Sequence, residues 1–314
     1  MKKVFIDGSE GTTGLRIFER FENRDGIELI KIPSELRKDP DAIRKCINAS
    51  DITFLCLPDA AAREAVTYVE NDKVILIDTS TAHRTEEGWA YGFPELAPEF
   101  RERIKTEKRI AVPGCHATGF ISLVYPLIRK GVLSKDYPVS SFSLTGYSGG
   151  GKKMIAAYEA EDKTPDLFSP REYALTQQHK HLKEMEKITG LSRKPLFSPI
   201  VDDYYSGMVV CLPLYMDALK GIDSVKQLQE FYAEYYQEEK FIEVLSYGVE
   251  EELGGFLPGN GLSGWDGLKI SVTGNEERVV VNSWFDNLGK GASGAAIQCL
   301  NIVLGCDEAK GLNL

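Results

Sequence analysis

The order of apolar runs in the first third of the chain restricts its fold more than any other feature. Short strand-like runs, KVFIDG, ELIKIP, DITFLCLP, KVILIDTS and RIAVPG, alternate with TGLRIFERFEN, PDAIRKCINA, AAAREAVTYVEN and PELAPEFRERI, each long enough for a crossover helix. Apolar strands separated by helical segments are the pattern of a parallel sheet, and right-handed crossovers wind it into a doubly wound, Rossmann-like α/β sheet over residues 1–114. After that point the rhythm changes. An apolar helical stretch, FISLVYPLIRKGVL, is followed later by the strand-like runs GMVVCLPLYM, FIEVLSYG, LKISVTGN and ERVVVNSWF. They predict a second, α+β domain over residues 115–286 with a mostly antiparallel sheet. Small residues at helical spacing in NLGKGASGAAIQCLNIVLG predict a helix within 287–314 that packs back closely on the first domain.

The turn after the first strand holds Gly8, Ser9, Gly11, Thr12, Thr13 and Gly14. Glycine removes the Cβ that would block a pyrophosphate from the backbone amides, and the following helix N-terminus adds partial positive charge. The spacing G-x-x-G-x-x-G departs from G-x-G-x-x-G but keeps that mechanism, and its place after the first strand points to a dinucleotide. An NAD site needs an acidic residue at the end of the second strand. Here the chain offers Ser34, Arg37 and Lys38, with Glu35 among them, which suits the 2′-phosphate of NADP better.

A formal charge of −10 argues against nucleic acid and anionic membranes as partners. No apolar stretch reaches the roughly 18 residues that cross a bilayer, and the expectation is a cytoplasmic protein. The six cysteines form no C-x-x-C pair and no zinc-ligand spacing with histidine, so no metal is expected. Cys56 and Cys211 lie inside apolar runs and read as small buried hydrophobes. Cys115 differs. It follows the fifth strand in VPGCHATGF and begins a helix, where the N-terminal partial charge and an imidazolium neighbour lower a thiol from its usual pKa of about 8.5. The base must come from His83, His116, His179 or His181. The pair in QHKH is expected early in a polar helix, where residues two apart cannot share a face, so one should face the cleft and the other solvent. Arg84, Lys152 and Lys180 are candidates for a substrate carboxylate or phosphate.

The glycine loop, YGFPEL, PGCHATGF, HKH and NLGKGASGAAIQ, in that order along the whole chain, resemble the shorter form of the N-acetyl-gamma-glutamyl-phosphate reductase family. The resemblance implies that Cys115 is the nucleophile, that His179 or His181 is its base, and that Pro58, Ser80, Gly149, Asn287 and Gly291 lie beside NADP with the glycine loop. It departs from the family's pattern at Val112, where asparagine is usual, and at His116, where tyrosine is usual. The implied reaction is NADPH-dependent reduction of the acyl phosphate N-acetyl-glutamyl 5-phosphate to the semialdehyde through a cysteine thioester, in arginine biosynthesis. The 115–286 domain would then carry catalysis, substrate and oligomerisation, in a homodimer or homotetramer. Competing readings are reduction of another acyl phosphate such as aspartyl phosphate, and a nucleotide-binding redox sensor with Cys115 as its switch.

Overall fold

The computed structural model describes residues 1–9, 11–21 and 24–314. By compactness the chain divides into one unit of Met1–Gly114 with Ala292–Leu312 and another of Cys115–Gly291 with Asn313–Leu314. Residues 287–291 lie with the second unit, where the Asn287 side chain bonds to Gly207 and Ser148.

The first unit holds β1 (Lys2–Asp7), β2 (Ile27–Ile30), β3 (Ile52–Leu55), β4 (Ile75–Asp78), β5 (Ala90–Tyr91) and β6 (Arg109–Ala111). They form one parallel sheet in the order β2-β1-β3-β4-β6-β5. The sequence pattern leads to five of these strands; β5 has two residues, too short to register as a run. Alternate side chains feed two cores. Val4, Ile6, Phe54, Ile77 and Ile110 face one way, and Phe5, Leu55 and Leu76 face the other.

The crossovers are α1 (Thr12–Phe21), α2 (Pro40–Ala49), α3 (Asp59–Thr67) and α4 (Pro98–Thr106). Helix α2 starts where its sequence dictates, with Pro40 at the first helical position and the Asp39 carboxylate accepting from the Ala42 amide at 2.8 Å. The helix expected from PELAPEFRERI is split instead. Pro98 keeps Ala97 extended, at φ −171° and ψ 162°, so a short 3-10 turn over Pro94–Leu96 precedes α4. The helix expected from TGLRIFERFEN reaches into Glu22 and Asn23, which lie outside the described residues.

Because β2 and β3 flank β1 on opposite sides, the direction of strand addition reverses there, and in parallel sheets such a switch point leaves a crevice at the carboxyl end of the strands. Asp7 ends that strand, and burial pushes its carboxyl up to about 6 despite a hydrogen bond from the Gly8 amide. An unfolded chain releases this proton near pH 3.8, so the folded state holds the extra proton between that value and about 6. Stability therefore falls as pH rises through this window, and the buried carboxylate is a net cost above it. Asp7→Asn keeps an oxygen acceptor for Gly8 and removes the charge. It is expected to stabilise the protein at pH 8 by on the order of 2 kcal/mol and to show little gain at pH 4. Thermal melts at the two pH values check this; an equal shift at both would rule out the carboxylate as its origin.

The second unit has β7 (Ser140–Gly146), β8 (Arg171–Glu172), β9 (Leu196–Asp202), β10 (Met208–Tyr215), β11 (Ile242–Val244), β12 (Leu268–Gly274) and β13 (Arg278–Phe285). Their order is β11-β12-β13-β10-β7-β9-β8, parallel at β11·β12 and β7·β9 and antiparallel elsewhere. Strand β9 was not legible in the sequence because Pro199 interrupts its run; the Pro199 carbonyl accepts instead from the Tyr173 amide at 3.0 Å. The helices are α5 (Cys115–Arg129), α6 (Lys152–Glu159), α7 (Leu182–Thr189), α8 (Val225–Tyr236) and α9 (Val249–Glu252).

Helix α5 is buried on almost every side. Gly119 permits this: a Cβ there would lie 2.4 Å from Val210 Cγ2 and 2.9 Å from Phe285 Cε1. Pro126 has no amide for the Ser122 carbonyl, and the Tyr236 hydroxyl donates to that carbonyl at 2.7 Å. A π-helical turn over Gly289–Ser293 leads to α10 (Gly294–Val303), whose Ala295, Ala296, Ile297, Cys299 and Leu300 join the core of the first unit.

Candidate active site

In the first unit the three glycines of the β1–α1 turn answer to different constraints. Gly8 has φ +84°, and a Cβ there would lie 2.3 Å from the Cys56 carbonyl oxygen. A Cβ on Gly14 would lie 2.3 Å from the Gly8 oxygen, so the turn's own packing excludes side chains at both positions. Gly11 is less crowded, its nearest such neighbour being 3.3 Å away, and α1 begins at the next residue. The open face of the turn and the first amides of α1 thus suit a pyrophosphate, with Ser9, Thr12 and Thr13 half-buried around it.

Beside this turn is a cleft of about 180 Å³ lined by Ile6, Ser9, Phe18, Lys31, Ser34 and Arg37 among others. Among the described residues, no acidic side chain lines it. Pro58 precedes α3 and is exposed, while Glu35 and Lys38 do not line the cleft. Ser80, expected beside NADP, has its hydroxyl engaged within its own loop. Its hydroxyl donates to Asp78 at 2.7 Å and accepts from the Ala82 amide at 3.1 Å, so it organises its own loop. His83 is likewise committed, at 2.6 Å from Asp78 through Nδ1 and stacked on Trp89. Arg84 is not a surface cation; it is buried and donates to the carbonyls of Val112 (2.8 Å) and Thr79 (3.0 Å).

In the second unit Cys115 is the first residue of α5. Among residues 111–120 it alone is not fully buried, as a thiol that meets a reagent must be. A Cβ on Gly291 would lie 2.9 Å from the Cys115 Cβ and 3.3 Å from its Cα. Gly291 thus makes room for the nucleophile itself. Asn287 is buried, accepting from the Gly207 amide at 2.8 Å and donating to Ser148 at 3.1 Å; a Cβ on Gly149 would stand 3.3 Å from its Nδ2. Its amide is engaged in holding the turn over residues 147–150.

The histidine pair is not on a helix. His179 and His181 lie in the turn ahead of α7, with His181 as the residue before its first turn. The helical-face argument therefore does not apply to them, and neither is solvated: His181 is buried and His179 half-buried, with ring centroids 4.7 Å apart. Both also face His116, at 5.3 Å and 5.7 Å, and Phe197 packs edge-on against His116 and His179. The His181 amide donates to Nδ1 of His179 at 3.2 Å, so neutral His179 carries its proton on Nε2 and acts as a donor. His116 is buried, with Nδ1 2.5 Å from Ser143 Oγ and Nε2 2.6 Å from the Tyr173 hydroxyl. Burial first, then the charges of His179 and Lys180, hold it well below the usual histidine range. Tyr173 is pushed up by burial and by the nearby charge of Cys115. Lys180 and Lys152 are exposed.

The segment that delivers Tyr173 and the histidines is strained. Ala174 and Gln177 have φ +53° and +56°, a region costly for residues with a Cβ and enriched at functional sites. Gln177 holds the segment by accepting from the Phe197 amide and donating to its carbonyl, each at 2.9 Å. Sequence reasoning missed Tyr173, Ser143 and Gln177. The only local signal was the density of Tyr, Gln and His between residues 173 and 181. Among the described residues no group of three or more His, Cys, Asp or Glu side chains is arranged to hold a metal ion.

The chain matches the semialdehyde dehydrogenase family in two parts, its NAD binding domain over residues 3–105 and its dimerisation domain over residues 115–287. It is 44% identical to the N-acetyl-gamma-glutamyl-phosphate reductase of Trichormus variabilis, over 99% of both chains. It is 41% identical to that of Burkholderia cenocepacia, over 98% of both. Aspartate semialdehyde dehydrogenase from Francisella tularensis shares its fold, with a TM-score of 0.73 at 15% identity over 97% of this chain and 100% of that one. The Vibrio cholerae aspartate semialdehyde dehydrogenase II is similar, with a TM-score of 0.72 at 14% identity over 97% and 98%.

Proposed function

The chain belongs to the N-acetyl-gamma-glutamyl-phosphate reductases of the semialdehyde dehydrogenase family, and we propose from that premise a thioester mechanism on Cys115. The protein is an oxidoreductase of arginine biosynthesis that reduces N-acetyl-glutamyl 5-phosphate to N-acetyl-glutamate 5-semialdehyde and phosphate. The observation that carries the mechanism is the half-exposed Cys115 at the start of a 15-residue helix. That position stabilises a thiolate and offers amides to a developing oxyanion.

Cys115 passes its proton to His181 and its sulfur attacks the acyl carbon. The acyl–phosphate C–O bond breaks, phosphate leaves with the electron pair, and the proton held on His181 goes with it. A thioester remains. When bound, the nicotinamide cofactor supplies a hydride to the thioester carbon. The resulting oxyanion, held by the first amides of α5, re-forms its carbonyl as the C–S bond breaks, and Cys115 leaves as thiolate and regains a proton from solvent for the next turnover. The base is assigned to His181 because Nδ1 of His179 accepts a backbone amide and both nitrogens of His116 are engaged. Gly8–Gly14 would hold the pyrophosphate.

NADP is the preferred cofactor in this reading, supported by Lys31, Ser34 and Arg37 along a cleft whose described lining residues include no carboxylate. Arg37→Ala is expected to lower kcat/KM for NADPH about tenfold while changing that for NADH less than about twofold. Equal losses with both cofactors would remove Arg37 from 2′-phosphate recognition. The reaction itself is tested by phosphate-dependent oxidation of N-acetylglutamate semialdehyde beside aspartate semialdehyde. Turnover of the second alone would overturn the substrate. Cytoplasmic location and a homodimer or homotetramer complete the reading; sedimentation measures the latter.

A further inference from the structure

Between β8 and the two histidines the chain leaves the edge of the second sheet. Continuing the antiparallel register of Arg171 with Val201 and Glu172 with Ile200 would set Leu175 opposite Phe197 of β9. The Tyr173 amide still follows that ladder and donates to the Pro199 carbonyl. At Ala174 the backbone turns left-handed, at φ +53°, and the Gln177 amide closes a turn onto the Ala174 carbonyl at 2.9 Å. Leu175 is carried out of the ladder to 71% exposure. A side chain takes its rung: Gln177 Oε1 accepts from the Phe197 amide and Nε2 donates to the Phe197 carbonyl, both at 2.9 Å. These are the two bonds that a residue directly opposite in an antiparallel ladder exchanges with its partner. We propose that Gln177 is a positioning residue: its side-chain amide stands in for a main-chain rung on Phe197 and so fixes the turn that carries His179 and His181 against His116.

Every link from Gln177 to the histidines is a contact or a peptide bond. Gln178 alone lies between Gln177 and His179, so the place where Gln177 is pinned limits where that histidine can go. The Phe197 ring is 1% exposed and packs edge-on at 5.2 Å from His116 and 5.4 Å from His179. His179 in turn lies 4.7 Å from His181, and both rings face His116, the residue after Cys115. An amide suits the rung because it offers a donor and an acceptor side by side, as a peptide group does. The backbone at Gln177 is also left-handed, at φ +56°, so without the two bonds the segment relaxes toward an ordinary conformation. Gln177 is exposed, so water competes for each bond and the effect of losing them is moderate.

The catalytic consequence rests on the proposed function, in which His181 is the base, but the positioning is readable without substrate. Carbethoxylation by diethyl pyrocarbonate, followed by peptide mass spectrometry on the full-length protein, gives a rate for each of the four histidines. His83, in the first unit, serves as the internal reference. Gln177→Met keeps the length of the side chain and loses both bonds. It is expected to speed modification of His179 and His181 about fivefold with His83 unchanged. In the semialdehyde assay it should lower kcat about tenfold with KM within about twofold. Gln177→Gly relieves the left-handed backbone but also lacks the amide, and should behave as the Met variant does. Gln177→Glu keeps the acceptor and loses the donor, and should fall between wild type and Met. Wild-type modification rates and kcat in the Met variant would overturn the positioning role. A lower melting temperature without either change would do the same, since it marks packing alone. A Gly variant that matches wild type would assign the effect to backbone strain and remove the amide from it. If wild type does not turn over the semialdehyde yet the modification rates move, the proposed reaction falls and the positioning stands.

Discussion

Cys115→Ser is expected to lower phosphate-dependent reduction of NADP by N-acetylglutamate semialdehyde by about 10⁴-fold or more, with NADP binding unchanged. A serine hydroxyl is nearly the same size and sits at the same half-exposed helix start, so the geometry survives. What is lost is the anion. Neither the partial charge of α5 nor a neighbouring histidine ionises a hydroxyl at neutral pH to the extent that they ionise a thiol. Steady-state rates together with NADPH titration by fluorescence test both halves. Retained turnover would end the covalent mechanism, and lost cofactor binding would mean that the substitution disturbs more than chemistry.

The second large effect separates the two histidines. His181→Asn is expected to reduce kcat about 10³-fold, and His179→Asn only about tenfold. The difference follows from one contact. The His181 amide occupies Nδ1 of His179, so the neutral ring of His179 presents Nε2–H and can donate but not accept a proton. His179 still packs against His116 and Phe197, and its loss should loosen that packing without removing the base. A larger loss at His179, or modest losses at both, would reject His181 as the base.

Much of the fold and part of the candidate site are legible in the sequence. The parallel sheet followed from apolar runs spaced by helical segments, because that spacing is a local property of the chain. The need for Gly8 followed from a tight turn after β1, and its φ of +84° is the conformation that glycine alone adopts at low cost. Other motifs were visible but their purpose was not. Gln298 in GASGAAIQ donates to Glu95 in YGFPEL at 2.7 Å, and a Cβ on Gly92 would lie 2.9 Å from Cys299 Sγ. Those two motifs serve the docking of α10 within the first unit.

By itself the sequence determined the doubly wound sheet, the glycine cradle and a cysteine at a strand-to-helix junction. Each depends on the period of side chains or on backbone chemistry within a few residues. Only the tertiary structure decided what the polar side chains do. Arg84 reaches the Val112 carbonyl, Asn287 joins Gly207 to Ser148, and Tyr173 meets His116 across 57 residues of chain. A buried donor or acceptor must be satisfied by whatever group the fold brings within about 3 Å, and no local pattern specifies that partner.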